Sequence, residues 1–457
     1  MSSIATKSFL EKPSFILAFI TLLFLSGVLS LLFPVLSFFL PSLIFGFITA
    51  FILLFREPKL LLFVLIVIRM SLDYSSQYFS ITLYETVISL SQLLGIGIAL
   101  LGFVFLFLRR AELMKFPLRL PFFLLFIWGG LTILYSIAPR STLQELLRIF
   151  DLFALSFLAY ATIKETIDFK HLLQAFFVSS ILPLLFGLYQ FVFHIGLQDE
   201  NVSILRIFGT FSHPNVYSMY LFALVVFGLL YLLLFAEKGI SRMIMLGVLG
   251  IFSLMLFITF ARVAWVALFF FLFLVTLFRY RIFLFPLLLF PIILFVFSGS
   301  FQSRVVESFH PNPDSSILWR QTLWSDVTTR SLQNGGLLLG SGMDTFPEVS
   351  ESVRGTKNGP NDPHNDFVKF FVEGGLVGLG VFLLYLFSLA FLILKKYFSS
   401  RKDSALQIAF GVLFLFFLAL ELSSLTDNIF KNTPVQWLFF IAFGALLSLS
   451  SQNKKNA

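Results

Sequence analysis

The sequence is dominated by long, continuously apolar runs, and these constrain its fold more than any other feature. Charged or Pro/Gly-rich breaks divide them into fourteen candidate spans, near 15–33, 35–55, 59–72, 86–108, 120–138, 145–163, 171–195, 214–235, 243–260, 263–278, 282–298, 366–394, 405–424 and 434–450. A bilayer crossing needs about 20 predominantly apolar residues, so most of these runs are long enough; the third and tenth are short, and twelve or thirteen spans also fit. The runs are uniformly apolar rather than alternating, and only helices satisfy their own backbone in lipid without a closed barrel. Composition agrees. The 457 residues are 58% hydrophobic and 12% charged, with 65 Phe, whereas soluble domains are about a quarter charged. The expectation is an all-α polytopic membrane protein of 12–14 transmembrane helices, and a soluble protein is excluded.

The formal charge of +8 says less than its placement. With the N-terminus in the cytoplasm, twenty of the 32 Lys and Arg residues fall on the cytoplasmic side, including the doublets Arg109-Arg110 and Lys395-Lys396. That is the positive-inside pattern, and with an even number of spans both termini are cytoplasmic. The first apolar run follows a polar start without a small-residue cleavage site, so it reads as a retained span rather than a cleaved signal. The other twelve cations include Arg69, Arg140, Arg148, Arg206, Arg262, Arg304, Arg320, Arg330 and Arg354. Charge near hydrocarbon is expensive unless used, and Arg binds phosphate in bidentate fashion. An Arg-rich external face therefore suggests an anionic substrate. The competing expectation pairs these residues with Asp73, Glu145, Asp151, Glu307 or Asp314.

The domain reading follows. Residues 1–298 form an N-terminal bundle of about eleven spans, 299–365 a polar external loop, and 366–457 about three further spans. A loop that long is usually functional. Trp319, Leu323, Trp324 and Val327 lie at helical spacing around Arg320, which predicts an amphipathic helix against the membrane face.

Three segments carry candidate chemistry. Arg206 and Gly209 precede His213-Pro214-Asn215, where Pro suits a helix start and polar side chains meet free N–H groups. A helix start with an adjacent Arg is a natural anion site; the plainer reading is a capped helix with a snorkelling Arg. Thr259-Phe-Ala-Arg262 breaks a run of apolar residues, placing Arg262 at the external edge, either as a ligand contact or as topological punctuation. Pro363-His364-Asn365 opens a further span, with Glu373 buried below it and Gly375, Gly378 and Gly380 allowing close helix packing. A histidine there can act as a base, or can simply sit at a helix start. Zero Cys excludes thiolate chemistry, neither a metal-ligand motif nor a phosphate loop is present, and no cofactor is expected.

These motifs resemble those of the O-antigen ligase and O-antigen polymerase superfamily of bacterial envelope glycosyltransferases. The family hallmark is His, Asn/Ser/Gln, nine residues, Gly, two residues, Gly, and it is matched in full by His364, Asn365, Gly375 and Gly378. Arg206, Gly209, His213, Pro214 and Asn215 match a second feature, Ala261-Arg262 a third, and Arg320, Trp324, Gly340 and Gly342 a fourth. The resemblance covers residues 200–440 well and the N-terminal half by topology alone. It implies a GT-C-like bundle in the bacterial cytoplasmic membrane with its active site facing outward. It also implies metal-independent glycosyl transfer from undecaprenyl pyrophosphate, as in lipopolysaccharide biosynthesis. In that scheme His364 is catalytic and handles the acceptor hydroxyl. Arg206, Arg262 and Arg320 hold the pyrophosphate, with His213, Asn215, Asn365 and Glu373 as further substrate contacts and Gly375 and Gly378 as structural positions. The partners would be the lipid-linked glycan donor, a lipid or glycan acceptor and membrane lipids, with no nucleic acid. A ligase acting on lipid A-core or a related acceptor is the leading expectation; a repeat-unit polymerase is the alternative and a polysaccharide flippase a remote one. A flippase predicts repeated halves and midplane charge pairs, and the sequence has no internal repeat.

Overall fold

A computed structural model describes residues 39–73, 80–83, 86–199, 204–236, 238–278, 281, 289, 292–293, 295–296, 298–309, 316–355 and 361–453. The span expected at 15–33, part of 35–55 and most of 282–298 lie outside these residues. So do His310 with its His-Pro-Asn triplet, Asp314, Lys357 and both termini. Two compact units divide at Leu61. Within the first, α1 (Phe39–Arg56) carries Phe51 against Phe55 with ring centres 5.0 Å apart. Helix α2 (Pro58–Leu72) begins there and continues into the second unit.

The second unit is almost wholly helical. A hairpin of β1 (Ser80–Leu83) and β2 (Thr86–Ser89) leads into α3 (Leu90–Leu108). Ser89 and Gln92 form a reciprocal capping box at the start of α3, satisfying two donors that a helix start leaves open. Next come α4 (Arg110–Leu113), α5 (Arg119–Thr132), α6 (Pro139–Thr162), α7 (Thr166–Ser179) and α8 (Ile181–Val192). A second hairpin, β3 (Leu197–Asp199) with β4 (Ile204–Arg206), precedes α9 (Pro214–Leu234), α10 (Ile240–Ile258) and α11 (Arg262–Phe278). The polar segment holds α12 (Gly299–Phe309), α13 (Ser316–Gln333) and α14 (Phe346–Arg354), and the chain closes with α15 (Asp366–Ser399), α16 (Ser404–Ser424) and α17 (Thr433–Asn453).

Among the described residues, seven helical stretches are long and apolar enough to cross a bilayer: 90–108, 166–192, 214–234, 240–258, 366–399, 404–424 and 433–452. Shorter apolar helices run over Phe45–Arg56, Arg119–Thr132 and Arg262–Phe278. Phe103, Phe107, Phe387 and Phe391 point outward from α3 and α15, as lipid-facing positions do and a soluble surface does not. The chain is an all-α polytopic membrane protein. Helix α6 reads as a span by length but carries Arg140, Glu145, Arg148 and Asp151 in its first half, so its apolar stretch begins only at Leu152.

Helices α6 and α17 form the central pair. From Leu152 to Thr162 every residue of α6 is buried, and Gly444 of α17 lies so close to the Ser156 backbone that a side chain there has no room. Around them, Phe116, Phe122, Phe153 and Phe157 interlock at ring distances of 5.3–5.8 Å, and Phe440 of α17 joins Phe122 at 5.1 Å. Helix α9 is also buried along most of its length.

Helix α15 explains the glycine pair. At 34 residues it spans about 51 Å, and it is broken at Gly375, which takes φ 58°, ψ −152°. The break frees backbone groups, and the segment after α13 takes them up. Leu376 N–H donates to Leu337 O at 2.8 Å and Val377 N–H to Leu338 O at 3.2 Å, while Gly342 N–H donates to Glu373 O at 2.8 Å. A Cβ on Gly375 would lie 2.4 Å from Leu338 C, and one on Gly378 would lie 2.7 Å from the Trp128 ring. Gly380, in contrast, faces open space and does not serve packing.

These glycines give a stability test. Gly375→Ala forces a left-handed backbone on a residue with a Cβ and meets the Leu338 backbone, so a loss of about 1–3 kcal/mol is expected. Gly380→Ala removes a flexible residue from a helix interior and should be neutral or stabilising by up to about 1 kcal/mol. Thermal unfolding of the two variants in one detergent checks both; equal melting temperatures would contradict the role given to Gly375.

Candidate functional site

His364 stands at the start of α15 in a left-handed conformation, φ 48°, which a β-carbon tolerates only when its surroundings fix it. Three contacts do so. Trp324 of α13 donates its indole N–H to Pro363 O at 2.6 Å. Asn365 caps α15 by accepting Val368 N–H at 3.1 Å and donates to Leu425 O at 3.0 Å. The His364 ring itself meets Asp427, Nδ1 to Oδ1, at 2.9 Å.

Asp427, in the connection between α16 and α17, is the centre of the site. It is 7% exposed. Burial opposes its ionisation, but the hydrogen bond and charge of His364 together with Arg320 hold its carboxyl at about 2. As a carboxylate it only accepts, so the His364 Nδ1 proton lies on this bond and Nε2 is left outside it. Asp427 Oδ2 accepts from Asn215 Nδ2 at 3.0 Å, and Asn215 Oδ1 accepts from Arg206 Nη2 at 2.8 Å. Arg206 Nε donates to Thr259 O at 3.1 Å. One hydrogen-bonded chain thus runs from Thr259 through Arg206, Asn215 and Asp427 to His364, joining four segments that are far apart in sequence.

The local folding that brings these groups together is specific. Gly196 lies against the Arg206 backbone, where a Cβ would come within 2.6 Å of Arg206 O, so the hairpin closes tightly and fixes Arg206 at its end. Buried Gln190 of α8 accepts the N–H groups of Phe208 and Gly209 at 2.9 and 2.8 Å, fastening the turn in which Gly209 takes φ 57°. His213 then caps α9 by accepting Asn215 N–H on Nδ1 at 3.1 Å. Burial, reinforced by the charge of Arg206, lowers His213 to about 4. It is therefore neutral, as its acceptor role requires.

The remaining cations are placed differently. Arg320 Nη1 donates to Thr426 O at 2.9 Å, one residue from Asp427. Arg262, at the helix start just after the Thr259 corner, reaches Glu307 of α12 at 3.3 Å and Ser308 at 3.3 Å. Arg69 pairs with Asp73 at 2.9 Å, and Arg148 grips Glu145 through two bonds of 2.8 and 2.7 Å. The carboxylate pairing weighed in the sequence is thus present at Asp73, Glu145 and Glu307. Glu373 is occupied by structure: it accepts Asp344 N–H at 2.9 Å and Phe346 N–H at 3.3 Å, at the start of α14, and lies 3.6 Å from buried Lys369. His194 ends α8 on the surface.

Helix α13 is the amphipathic helix expected in the polar segment. Leu323 and Val327 are fully buried against Phe346 and Val349 of α14 and Val372 of α15, with Trp319 beside them. It braces the start of α15, so the long segment holds His364 from outside. Among the described residues, no group of three or more His, Asp or Glu side chains is placed to hold a metal ion.

The His213 cap predicts a pH dependence. The unfolded histidine titrates near its ordinary 6.5 and the folded one near 4, so between these values the unfolded state binds the extra proton. Stability should therefore fall as pH drops from about 6.5 to about 4. His213→Asn, which keeps a capping acceptor without a titrating ring, should show a shallower decline. Thermal unfolding of both proteins from pH 7 to 4 checks this, and parallel curves would refute it.

Residues 247–383 match the O-antigen ligase family model. The match takes in Arg262, Arg320, His364 and the glycine pair, and stops short of Asp427. A comparison with curated proteins gave no match. The matched segment, with the intact His364–Gly378 motif inside it, is similar to the O-antigen ligase family and supports a relationship to the O-antigen ligase/polymerase superfamily.

Proposed function

We propose that this protein is a ligase-like glycosyltransferase. It moves a glycan from undecaprenyl pyrophosphate to a hydroxyl of lipid A-core or a related acceptor, at the outer face of the bacterial cytoplasmic membrane, with both termini inside. The observation that carries the reading is the His364–Asp427 pair. With Nδ1–H held by a carboxylate, His364 Nε2 is free to accept the acceptor's hydroxyl proton. The acceptor oxygen then bonds to the anomeric carbon while the bond from that carbon to the pyrophosphate oxygen breaks, its electron pair leaving with the pyrophosphate. Asp427 stabilises the imidazolium so formed. Arg206 lies two hydrogen bonds away through Asn215, and Arg262 and Arg320 flank the same segments. Fixed cations of this kind offset leaving-group charge without reorganising.

In this mechanism Asp427 is a positioning residue. Asp427→Asn, which can no longer stabilise a protonated imidazole, should lower transfer on the order of 10²–10⁴-fold and flatten the rise of rate with pH, while substrate KM changes little. His364→Ala, Arg206→Ala and Arg262→Ala should each abolish transfer with normal amounts of protein in the membrane. Normal product from all three would overturn the reading.

Acceptor identity is tested by deleting the protein in its host and analysing the surface glycan. Long undecaprenyl-linked chains left unattached are the expected result. Single capped repeats would make the protein a repeat-unit polymerase using the same chemistry.

A further inference from the structure

The connection between α16 and α17, residues 425–432, carries Asp427 and is shaped by bonds close in sequence. Thr426 and Asp427 N–H both donate to Ser423 O, at 3.0 and 2.9 Å, and Asn432 N–H donates to Ile429 O at 3.0 Å. These bonds form the turn but do not set where it sits against α15. That placing falls to three consecutive residues at the start of α15. His364 Nδ1 meets Asp427 Oδ1 at 2.9 Å, Asn365 Nδ2 donates to Leu425 O at 3.0 Å, and Asp366 Oδ2 accepts Phe430 N–H at 2.8 Å. The turn is therefore gripped on both sides of Asp427, by Asn365 two residues before it and by Asp366 three residues after it.

Asp366 is fully buried, and burying a carboxylate is costly. It lies in the first turn of α15, where an acidic side chain complements the helix dipole. That benefit is available to a side chain left in water, whereas Asp366 is turned into the protein against the backbone of another segment. A charged acceptor makes a hydrogen bond roughly twice as strong as a neutral one, which gives the buried carboxylate a task there. Apolar contacts also seat Phe430: its ring lies 5.1 Å from Phe370, 5.9 Å from Phe382 and 4.9 Å from the Arg148 guanidinium. Ring contacts of this kind tolerate small shifts. A hydrogen bond is directional, and this one holds the backbone itself.

We propose that Asp366 is a positioning residue: its bond to Phe430 N–H fixes the Asp427 turn against the start of α15 and so holds the His364–Asp427 pair in register. The effect on catalysis rests on the function proposed above; the clamp on the turn does not. Because the clamp needs an acceptor oxygen at this position, an amide can replace the carboxylate, and a side chain that cannot reach Phe430 cannot.

The test uses the full-length protein in lipid nanodiscs with four variants. Asp366→Ala and Asp366→Ser remove the acceptor, the second keeping a small polar side chain in case the first does not fold. Asp366→Asn keeps an acceptor oxygen. Phe157→Leu, at a ring packed on Phe105 and Phe116, is the stability control. Transfer is measured with the undecaprenyl-linked glycan that accumulates in the deletion host as donor and lipid A-core from the same cells as acceptor, and amide hydrogen exchange is followed over residues 425–432. The Ala and Ser variants should lower kcat about 10–100-fold with KM within about twofold, and exchange in the turn should quicken about tenfold. Asp366→Asn should stay within about threefold of the parent in both readouts, and Phe157→Leu should lower the melting temperature and leave kcat unchanged. Unchanged kcat or unchanged exchange in the Ala and Ser variants would overturn the proposal. So would an Asn variant as damaged as Ala, a Phe157→Leu protein that loses kcat equally at the same melting temperature, or failure of both the Ala and Ser proteins to accumulate. If the parent protein itself transfers nothing, the proposed function falls, and the exchange data alone then decide the clamp.

Discussion

The site depends on burying one carboxylate. An ionised side chain in an apolar bundle is tolerated only if its oxygens are matched by donors, and Asp427 meets that condition with donors from separate parts of the fold. His364 arrives from the start of α15, Asn215 from the start of α9, and Asn428 N–H from its own turn at 2.9 Å. Asn215 is in turn oriented by Arg206, because its carbonyl oxygen must face the guanidinium for its amide to face Asp427. The elements that converge on Asp427 are therefore fixed relative to one another by the same bonds that set the tautomer of His364. The contacts that stabilise the fold here also orient His364, so its geometry is held while the fold is intact.

A second arrangement works at longer range. The kink at Gly375 would leave the backbone of α15 unsatisfied, and in a membrane protein such a break survives only where protein covers it. The turn from Leu337 to Gly342 supplies that cover, and Gly340 and Gly342 lack side chains because the α15 backbone and Ser136 occupy the space. Glu373 and Lys369 then tie α14 and the Asp344 turn to the same stretch of helix. Two glycine motifs separated in sequence are the two sides of one joint. That joint sets the angle at which the His364 end of α15 leaves the membrane-spanning part.

Much of this was legible in the sequence, for reasons that can be stated. Apart from the run at 282–298, most of which lies outside the described residues, the spans from 214 onward were readable because lipid demands unbroken apolar runs, and their ends coincide with α9, α10, α11, α15, α16 and α17 to within a few residues. Helix α13 was readable from the spacing of Trp319, Leu323, Trp324 and Val327. Asp427 was not. It lies 212 residues from Asn215 in a short polar turn that looks like any other connection, and nothing local marks it. Glu373 was misleading in the opposite sense. A carboxylate in a span invites a substrate, but here the unpaired N–H groups at the start of α14 claim it. The two hairpins were hidden because each strand is only three or four residues long, too short for alternation to show.

The distribution of cations completes the picture. Of the arginines left over by the topology count, several pair with carboxylates: Arg69 with Asp73, Arg148 with Glu145, Arg354 with Asp326. Pairing of this kind offsets the cation locally and serves the fold. Arg206 and Arg320 also bond carbonyl and amide oxygens on either side of Asp427, whose carboxylate is shared with His364. Two guanidinium groups thus stand beside the Asp427 turn that holds His364, in a region where burial weakens screening. In the proposed reaction a leaving pyrophosphate would be drawn to these two guanidinium groups and a neutral lipid would not, so the place of these cations bears on the chemistry more than the net charge of the chain does.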